Sequence, residues 1–266
     1  MTGETYVILG CGFTGSRVAR ALAGRGERVV ATTRRPDPTA IPGVDFLRAS
    51  DLDQVPGALR VLHSVPLAQD GDGRYFDPTP ALLAPLRGRV ARMVYLSTTG
   101  VYGAAFEVDE RTPVAPRSPR ERLRVDAEDA VESCADSSMV LRPAAIYGPG
   151  RGVHVSIAQG TFLLLGDGAN YISRIHVDDL AGLALTALDL SLTGRFPVAD
   201  LHPCPSREIA EFCAGLLGAP MPASASQDQL SETRRNNRKV NGQAVLRALG
   251  YELKYPSYLQ GVPASL

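Results

Sequence analysis

Tyr6-Val7-Ile8-Leu9-Gly10-Cys11-Gly12-Phe13-Thr14-Gly15 decides the fold class: an apolar strand runs into a GxGxxG turn, and Ser16 to Ala23 follows with Val18, Ala21 and Leu22 at helical core spacing. In such a strand–turn–helix unit the first glycine permits a tight turn. The second lets a pyrophosphate approach the backbone, and the third lets helix pack on strand, with the helix N-terminus facing the phosphates. Gly10, Gly12, Phe13, Thr14 and Gly15 are therefore the first candidate dinucleotide-binding residues. The alternative is a glycine-rich turn that binds nothing.

Outward from this turn, short apolar runs alternate with helical patterns. Val29–Thr32, Val44–Leu47, Arg60–His63, Met93–Leu96 and Met139–Leu141 read as buried strands, and Arg120–Ser133 reads as an amphipathic helix on Leu123, Ala127, Ala130 and Val131. Near-continuous apolar strands separated by helices indicate a parallel sheet covered on both faces. The expected fold is α/β, a doubly wound parallel sheet (Rossmann fold) with a small C-terminal substrate lobe. The expected division is 1–148 for the dinucleotide-binding part and 149–266 for the lobe, with 172–200 returning to the main sheet. Pro66–Pro80, with Asp-Gly-Asp-Gly inside it, reads as a loop, and so does Met221–Ser231. Asp178–Leu190 and Ser206–Leu217 read as helices.

Composition narrows the function classes. The chain has 266 residues, 44% of them hydrophobic and 21% charged, with 28 basic and 28 acidic side chains. Zero net charge argues against nucleic acid and membrane surfaces as partners, which basic proteins favour. No apolar run reaches the roughly 18 residues of a membrane span, and Met-Thr-Gly-Glu-Thr does not open a secretory signal. Cys11, Cys134, Cys204 and Cys213 lack metal-type or CxxC spacing, which fits buried thiols in a reducing cytoplasm, and no metal site is expected.

Cofactor choice is written after the second strand. An NAD-binding unit places Asp or Glu there for the ribose 2′-hydroxyl. This chain reads Ala31-Thr32-Thr33-Arg34-Arg35-Pro36. Two guanidiniums offer a 2′-phosphate charge-assisted hydrogen bonds that a carboxylate would repel, so Arg34 and Arg35 favour NADP(H) over NAD(H). The alternative is a pair of solvated loop arginines.

Three further stretches resemble the extended short-chain dehydrogenase/reductases, also called NAD-dependent epimerase/dehydratases: Tyr95-Leu96-Ser97-Thr98-Thr99-Gly100-Val101-Tyr102-Gly103, Leu141-Arg142-Pro143-Ala144-Ala145-Ile146-Tyr147-Gly148-Pro149-Gly150 and Arg174-Ile175-His176-Val177-Asp178-Asp179-Leu180-Ala181. The resemblance implies Thr98 at the catalytic Ser/Thr position, with Ser97 beside it. It implies Asp51 and Leu52 at the adenine, Ser64, Val65 and Pro66 along the phosphates and ribose, and Pro143 and Ile146 beside the nicotinamide. Arg34 then matches the 2′-phosphate arginine of NADP-using relatives, and Arg174 a position where sugar-nucleotide relatives bind substrate phosphate. A helix-to-helix homodimer and a small-molecule substrate are also implied.

One departure is serious. The family's Tyr-x-x-x-Lys pair falls, anchored on Glu128, at Arg120 and Arg124; no Tyr lies between Tyr102 and Tyr147, and no Lys precedes Lys239. In the family the Tyr moves a proton while hydride moves at the nicotinamide. A guanidinium stays protonated and cannot do this. Arg124 could hold the ribose, and Arg120 could bind an anionic substrate or polarise a carbonyl. Tyr102 is the first substitute acid, against a packed tyrosine as the alternative. Tyr147 and His154 are further candidates near substrate, each with a structural alternative. The resulting expectation is an NADP(H)-dependent oxidoreductase of the atypical extended short-chain type, acting on a small carbonyl or imine compound. A non-catalytic NADP(H)-binding sensor and a sugar-nucleotide epimerase/dehydratase stand as alternatives.

Overall fold

The computed structural model describes residues 4–34, 40–230 and 235–266. Seven strands form the main sheet: β1 (Thr5–Leu9), β2 (Val29–Thr32), β3 (Val44–Leu47), β4 (Leu59–His63), β5 (Val90–Leu96), β6 (Ser138–Pro143) and β7 (Gly194–Val198). Their order is β7-β6-β5-β4-β1-β2-β3, and the pairings from β3 through β6 are all parallel. The order reverses at β1 beside β4, and it is at such a switch point that a doubly wound sheet opens a crevice beyond its strand ends. All five residues of β1 and all four of β2 are buried, because helices cover both faces and leave no solvated side to alternate toward.

Helices α1 (Gly15–Gly24), α2 (Pro119–Cys134), α3 (Val177–Asp189) and α4 (Ser206–Leu217) are the long ones. Helix α2 starts where local chemistry dictates. The Ser118 hydroxyl accepts from the Glu121 N–H at 3.3 Å, the Glu121 carboxylate accepts from the Ser118 N–H at 3.2 Å, and Pro119 fills the first turn. None of the described helices is long and apolar enough to cross a membrane.

Two compact units emerge: Met1–Gly103, Pro113–Arg142 and Leu180–Phe196 form one, while Ala104–Thr112, Pro143–Asp179 and Pro197–Leu266 form the other. The second unit thus takes up chain before the expected boundary at 148, and within the stretch expected to return, 172–200, the first unit holds Leu180–Phe196. Loops beyond the ends of β5 and β6 carry 104–112 and 143–148 into the second unit, and most of α3 returns to the first. The first unit's core packs Val7, Leu9, Val61, Met93, Tyr95 and Val140 of the sheet against Ala127 and Val131 of α2. The second is centred on Tyr147, Ile157, Ile209, Cys213 and Tyr258. All four cysteines are free thiols.

The stretch 66–80 is more structured than a loop. Ala68–Gln69 pairs antiparallel with Tyr75–Phe76. Asp70 closes this hairpin by accepting from the N–H groups of Asp72 (3.0 Å) and Arg74 (2.9 Å), and a short helix follows at Thr79–Leu83. The Gly-Asp run that reads as a loop is the hairpin's turn. Within 221–231, Ser224–Ala225 likewise forms a short parallel bridge with Leu164–Leu165.

Candidate functional site

The glycine turn separates structural from functional need, glycine by glycine. Gly10 sits at φ +90°, and a Cβ there would lie 3.0 Å from Val65 Cγ2. At Gly15 a Cβ would come 2.3 Å from the Gly10 carbonyl oxygen, so α1 could not start this close to the strand. At Gly12 a Cβ would meet no protein atom within 4 Å. Packing thus accounts for Gly10 and Gly15 and leaves the middle glycine without a protein partner to accommodate.

Both neighbouring strands hold the turn. The Thr32 carbonyl at the end of β2 accepts from the Cys11 N–H at 2.7 Å, and its Oγ1 from the Gly10 N–H at 3.2 Å. After β4, the Ser64 hydroxyl donates to the Gly10 carbonyl at 2.8 Å. Thr14 precedes α1 and is buried, and the first turn of α1 contains no acidic side chain to compete for an anion. Arg34 is exposed two residues past β2, while Arg35 lies outside the described residues. Asp51 and Leu52 are on a 3₁₀ turn (Ala49–Gln54). Leu52 is a core residue with no exposure, so only Asp51 of that pair is accessible. Pro66 is exposed.

Arg124, on α2, reaches the segment after β4. Its Nη1 donates to the Val65 carbonyl at 3.4 Å and to the Tyr95 hydroxyl at 2.5 Å, and it lies 4.0 Å from Asp77 Oδ2. The Asp77 Oδ1 accepts from the Thr79 N–H at 2.7 Å, but its Oδ2 is buried without a hydrogen-bond partner. Burial pushes the Tyr95 hydroxyl up to about 12, against the pull of Arg124, and so keeps it neutral. Behind Tyr95 at 4.9 Å sits His63, which burial and Arg124 push down to about 3. His63 is a neutral imidazole that shares a 2.8 Å hydrogen bond with Thr79 Oγ1. Neither Tyr95 nor Asp77 is singled out by the sequence as a partner of Arg124. An apolar strand with one Tyr, and one Asp among several in a polar turn, give no local signal.

Thr98 caps the turn Thr99–Tyr102, its Oγ1 accepting from the Gly100 N–H at 3.1 Å. Ser97 donates to Glu128 at 2.6 Å. Glu128, with no exposure, grips Arg142 through Nε at 3.0 Å and Nη2 at 2.6 Å, and Arg142 Nη1 donates to the Tyr102 hydroxyl at 3.1 Å. Tyr102, read either as a substitute acid or as a packed tyrosine with a hydrogen-bonded hydroxyl, is 1% exposed, and its oxygen accepts from a buried guanidinium. Arg120 occupies the first turn of α2, half-buried, with its guanidinium over the Tyr75 ring at 5.4 Å.

The remaining candidates belong to the second unit. Pro143 is buried and Ile146 half-buried, the latter in a strand paired with Arg174–His176. The Tyr147 hydroxyl donates to the Ser257 carbonyl at 3.4 Å, and burial raises its pKa strongly. His154 is 2% exposed, and burial lowers its pKa. Arg174 is 3% exposed and donates from Nη1 to the Ile172 carbonyl at 2.7 Å and to Cys204 Sγ at 3.2 Å. One trio of metal-ligand type among the described residues, His202, Cys204 and Glu208, has its ligand atoms within 4.8 Å of one another. His202 and Glu208 already bond each other at 2.8 Å, and the Arg174 charge at Cys204 opposes a cation.

Comparison with known proteins agrees with this geometry. The pattern of the NAD dependent epimerase/dehydratase family matches residues 6–196. A 2-alkyl-3-oxoalkanoate reductase of Stenotrophomonas maltophilia (strain K279a) is 27% identical over 254 residues, covering 82% of this chain and 76% of that protein. A 3-diazoavenalumate denitrifying reductase of a Streptomyces species is 29% identical over 155 residues, about half of each protein: 53% of this chain and 51% of the other. A functionally unknown conserved protein from Silicibacter pomeroyi DSS superimposes with a TM-score of 0.80 at 30% identity, over 98% of this chain and 97% of that one. The matched segment begins on β1, contains the glycine turn, the end of β5 and the whole of α2, and ends on β7: the chain belongs to the NAD dependent epimerase/dehydratase family.

Proposed function

We propose that the chain is a nicotinamide-dinucleotide oxidoreductase that prefers NADP(H) and reduces a small carbonyl or imine compound. The observation that carries this reading is the open space at Gly12 in front of a helix N-terminus, on a turn pinned from both sides. When bound, the dinucleotide supplies hydride. Gly12 and the start of α1 hold the pyrophosphate, Arg34 and Arg35 hold the 2′-phosphate, and Arg124, already at the Val65 carbonyl, holds the nicotinamide ribose. Two relatives with reductase names support the reaction type. The oxoalkanoate named for one of them fits Arg120 as the group that binds a substrate carboxylate.

The proton is the distinctive part. The Tyr102 side chain is buried, away from solvent and substrate, and the arginines do not release protons. Thr98 orients the substrate oxygen, Arg124 stabilises negative charge developing there, and solvent delivers the proton. Loss of NADPH absorbance with a panel of 3-oxo acids, ketones and imines tests the reading. Turnover with any of them supports it, while tight cofactor binding without turnover across the panel supports the second reading, a non-catalytic NADP(H)-binding protein. That second reading draws on the withdrawal of Tyr102 into the interior.

Cofactor preference has its own test. Losing one charge-assisted phosphate contact costs about 1.5–3 kcal/mol, so Arg34→Ala should weaken NADPH binding roughly ten- to hundredfold and leave NADH unchanged. Equal affinity of the unaltered protein for the two cofactors in calorimetry would remove the NADP(H) preference.

Tyr102→Phe separates the two roles considered for that residue. Its hydroxyl accepts one buried hydrogen bond from a charged group, worth about 1.5–3 kcal/mol of stability, and turnover should stay within about twofold. A positioned acid contributes about 10²–10⁴-fold, so a loss of that size in kcat would return Tyr102 to the chemistry.

A further inference from the structure

The second unit contains a cavity of about 420 Å³ whose walls include Glu107, Asp109, Asp200, Lys239, Asn241 and Gly242. That volume lies in the range of small-molecule sites, roughly 300–1,000 Å³. Its frame is built from distant segments: Lys239–Val240 pairs in parallel with Glu107–Val108. Gly242 packs against Ala199 so closely that a Cβ would lie 2.7 Å from the Ala199 nitrogen.

The charged groups on these walls are unevenly committed. The Lys239 ammonium lies over the Tyr171 ring at 4.3 Å and the Phe106 ring at 5.2 Å, a cation–π arrangement. Asp109 accepts from the Arg111 N–H at 2.9 Å, the Arg111 Nη2 at 3.1 Å and the Thr112 hydroxyl at 3.0 Å. Glu107 is exposed. Asp200 is 2% exposed; its Oδ1 accepts from the His202 N–H at 3.1 Å, and its Oδ2 is buried with no hydrogen-bond partner. Buried carboxylate oxygens in folded proteins are nearly always hydrogen-bonded, so one without a donor in the wall of a cavity marks where a ligand's donor belongs. Asp109 is paired with Arg111, and the Lys239 ammonium is held over its two rings, so Glu107 and the Asp200 oxygen that lacks a donor are the wall groups left to favour a cationic donor.

We propose that this cavity binds a small organic ammonium ion, with Asp200 as its buried anchor and Glu107 at its rim. Binding here is independent of the dinucleotide reading, since none of these residues belongs to the glycine turn or to α2.

Asp200→Asn is a usable variant because of how the carboxyl sits. Burial pushes it up to about 7, against the pull of the His202 N–H, Arg174 and His202, with Asp179 adding to the rise. A folded-state pKa above the unfolded one means that the native protein binds more protons between about pH 4 and 7. The wild type therefore loses stability as pH rises through that window, and the Asn variant does not. Its urea midpoint should match wild type at pH 4 and exceed it at pH 8.

The test is calorimetry on the full chain at pH 7.5 with benzylamine, butylamine and agmatine, and with benzyl alcohol as the uncharged control. At least one amine should bind at one per chain, benzyl alcohol should bind at least tenfold more weakly than benzylamine or not at all, and Asp200→Asn and Glu107→Lys should each weaken the amine at least tenfold. No binding by any of the three amines, or equal affinity in wild type and both variants, overturns the proposal. Glu107 is on the surface, so its variant reads out even if Asp200→Asn fails to fold. NADPH affinity, measured in parallel, is unaffected by either outcome and fails only if the dinucleotide reading fails.

Discussion

Gly12→Val should abolish dinucleotide binding, weakening NADPH by more than about a hundredfold, with an unchanged far-UV circular dichroism spectrum. Two facts combine to make the effect large and clean. A Cβ at Gly12 meets no protein atom within 4 Å, so a side chain starts there in open space and the fold should tolerate it. The same space is the approach to the α1 N-terminus, where the helix dipole favours a phosphate. An isopropyl group there excludes the pyrophosphate and removes its hydrogen bonds at once, and each charge-assisted contact is worth about 1.5–3 kcal/mol. Gly15→Ala should behave in the opposite manner: with 2.3 Å available to the Gly10 oxygen it lowers the melting temperature and affects binding only through the fold. Calorimetric titration with NADPH, paired with thermal melts, distinguishes the two. Retained NADPH binding by Gly12→Val would leave the turn a structural device alone.

Arg142→Met is expected to carry the largest stability cost, about 3–5 kcal/mol, the range for removing one partner of a buried ion pair. The Arg142 side chain is 6% exposed and Glu128 has no exposure, so the methionine variant leaves a carboxylate in the core with Ser97 and, at 3.4 Å, Arg195 as partners. The Arg195 guanidinium also holds Asp129 at 2.6 Å and Glu132 at 2.7 Å, and cannot move inward without releasing them. Removing both charges, as in Glu128→Leu/Arg142→Met, should recover much of the loss, because the cost lies in the unpaired buried charge and less in the missing attraction. Urea unfolding of the two single variants and the double measures this. A single-variant cost below about 1 kcal/mol, the value of an exposed pair, would show that Glu128 is solvated in solution.

This ion pair also shows where reading the sequence stops. Glu128 and Arg142 are each legible, one as the anchor of a helix pattern and the other inside a Leu-Arg-Pro motif, but nothing local says that they meet. Their separation is 14 residues, and that from Arg142 to Tyr102 is 40. Tyr102 therefore reads equally well as an active-site phenol or an interior strut, and the tertiary structure places its side chain in the interior. Arg124 is similar: its helix position is plain, whereas its partners Tyr95 and Asp77 come from a buried strand and from the end of a hairpin that reads as a loop.

The sequence by itself determined the sheet and the turn. Strands β2 and β3 are read to the residue: β2 is buried on both faces and nearly apolar throughout, and β3, the half-exposed edge strand with Asp45 outward, shows in its short apolar run after the turn at Gly43. The glycine spacing likewise follows from a local steric demand. Only the tertiary structure decided the partners of the buried charges, which segments interleave in the two units and the cavity around Asp200. Those depend on which distant strands and loops are brought side by side, and a single chain's periodicity records how a segment folds on its own axis but not what it is packed against.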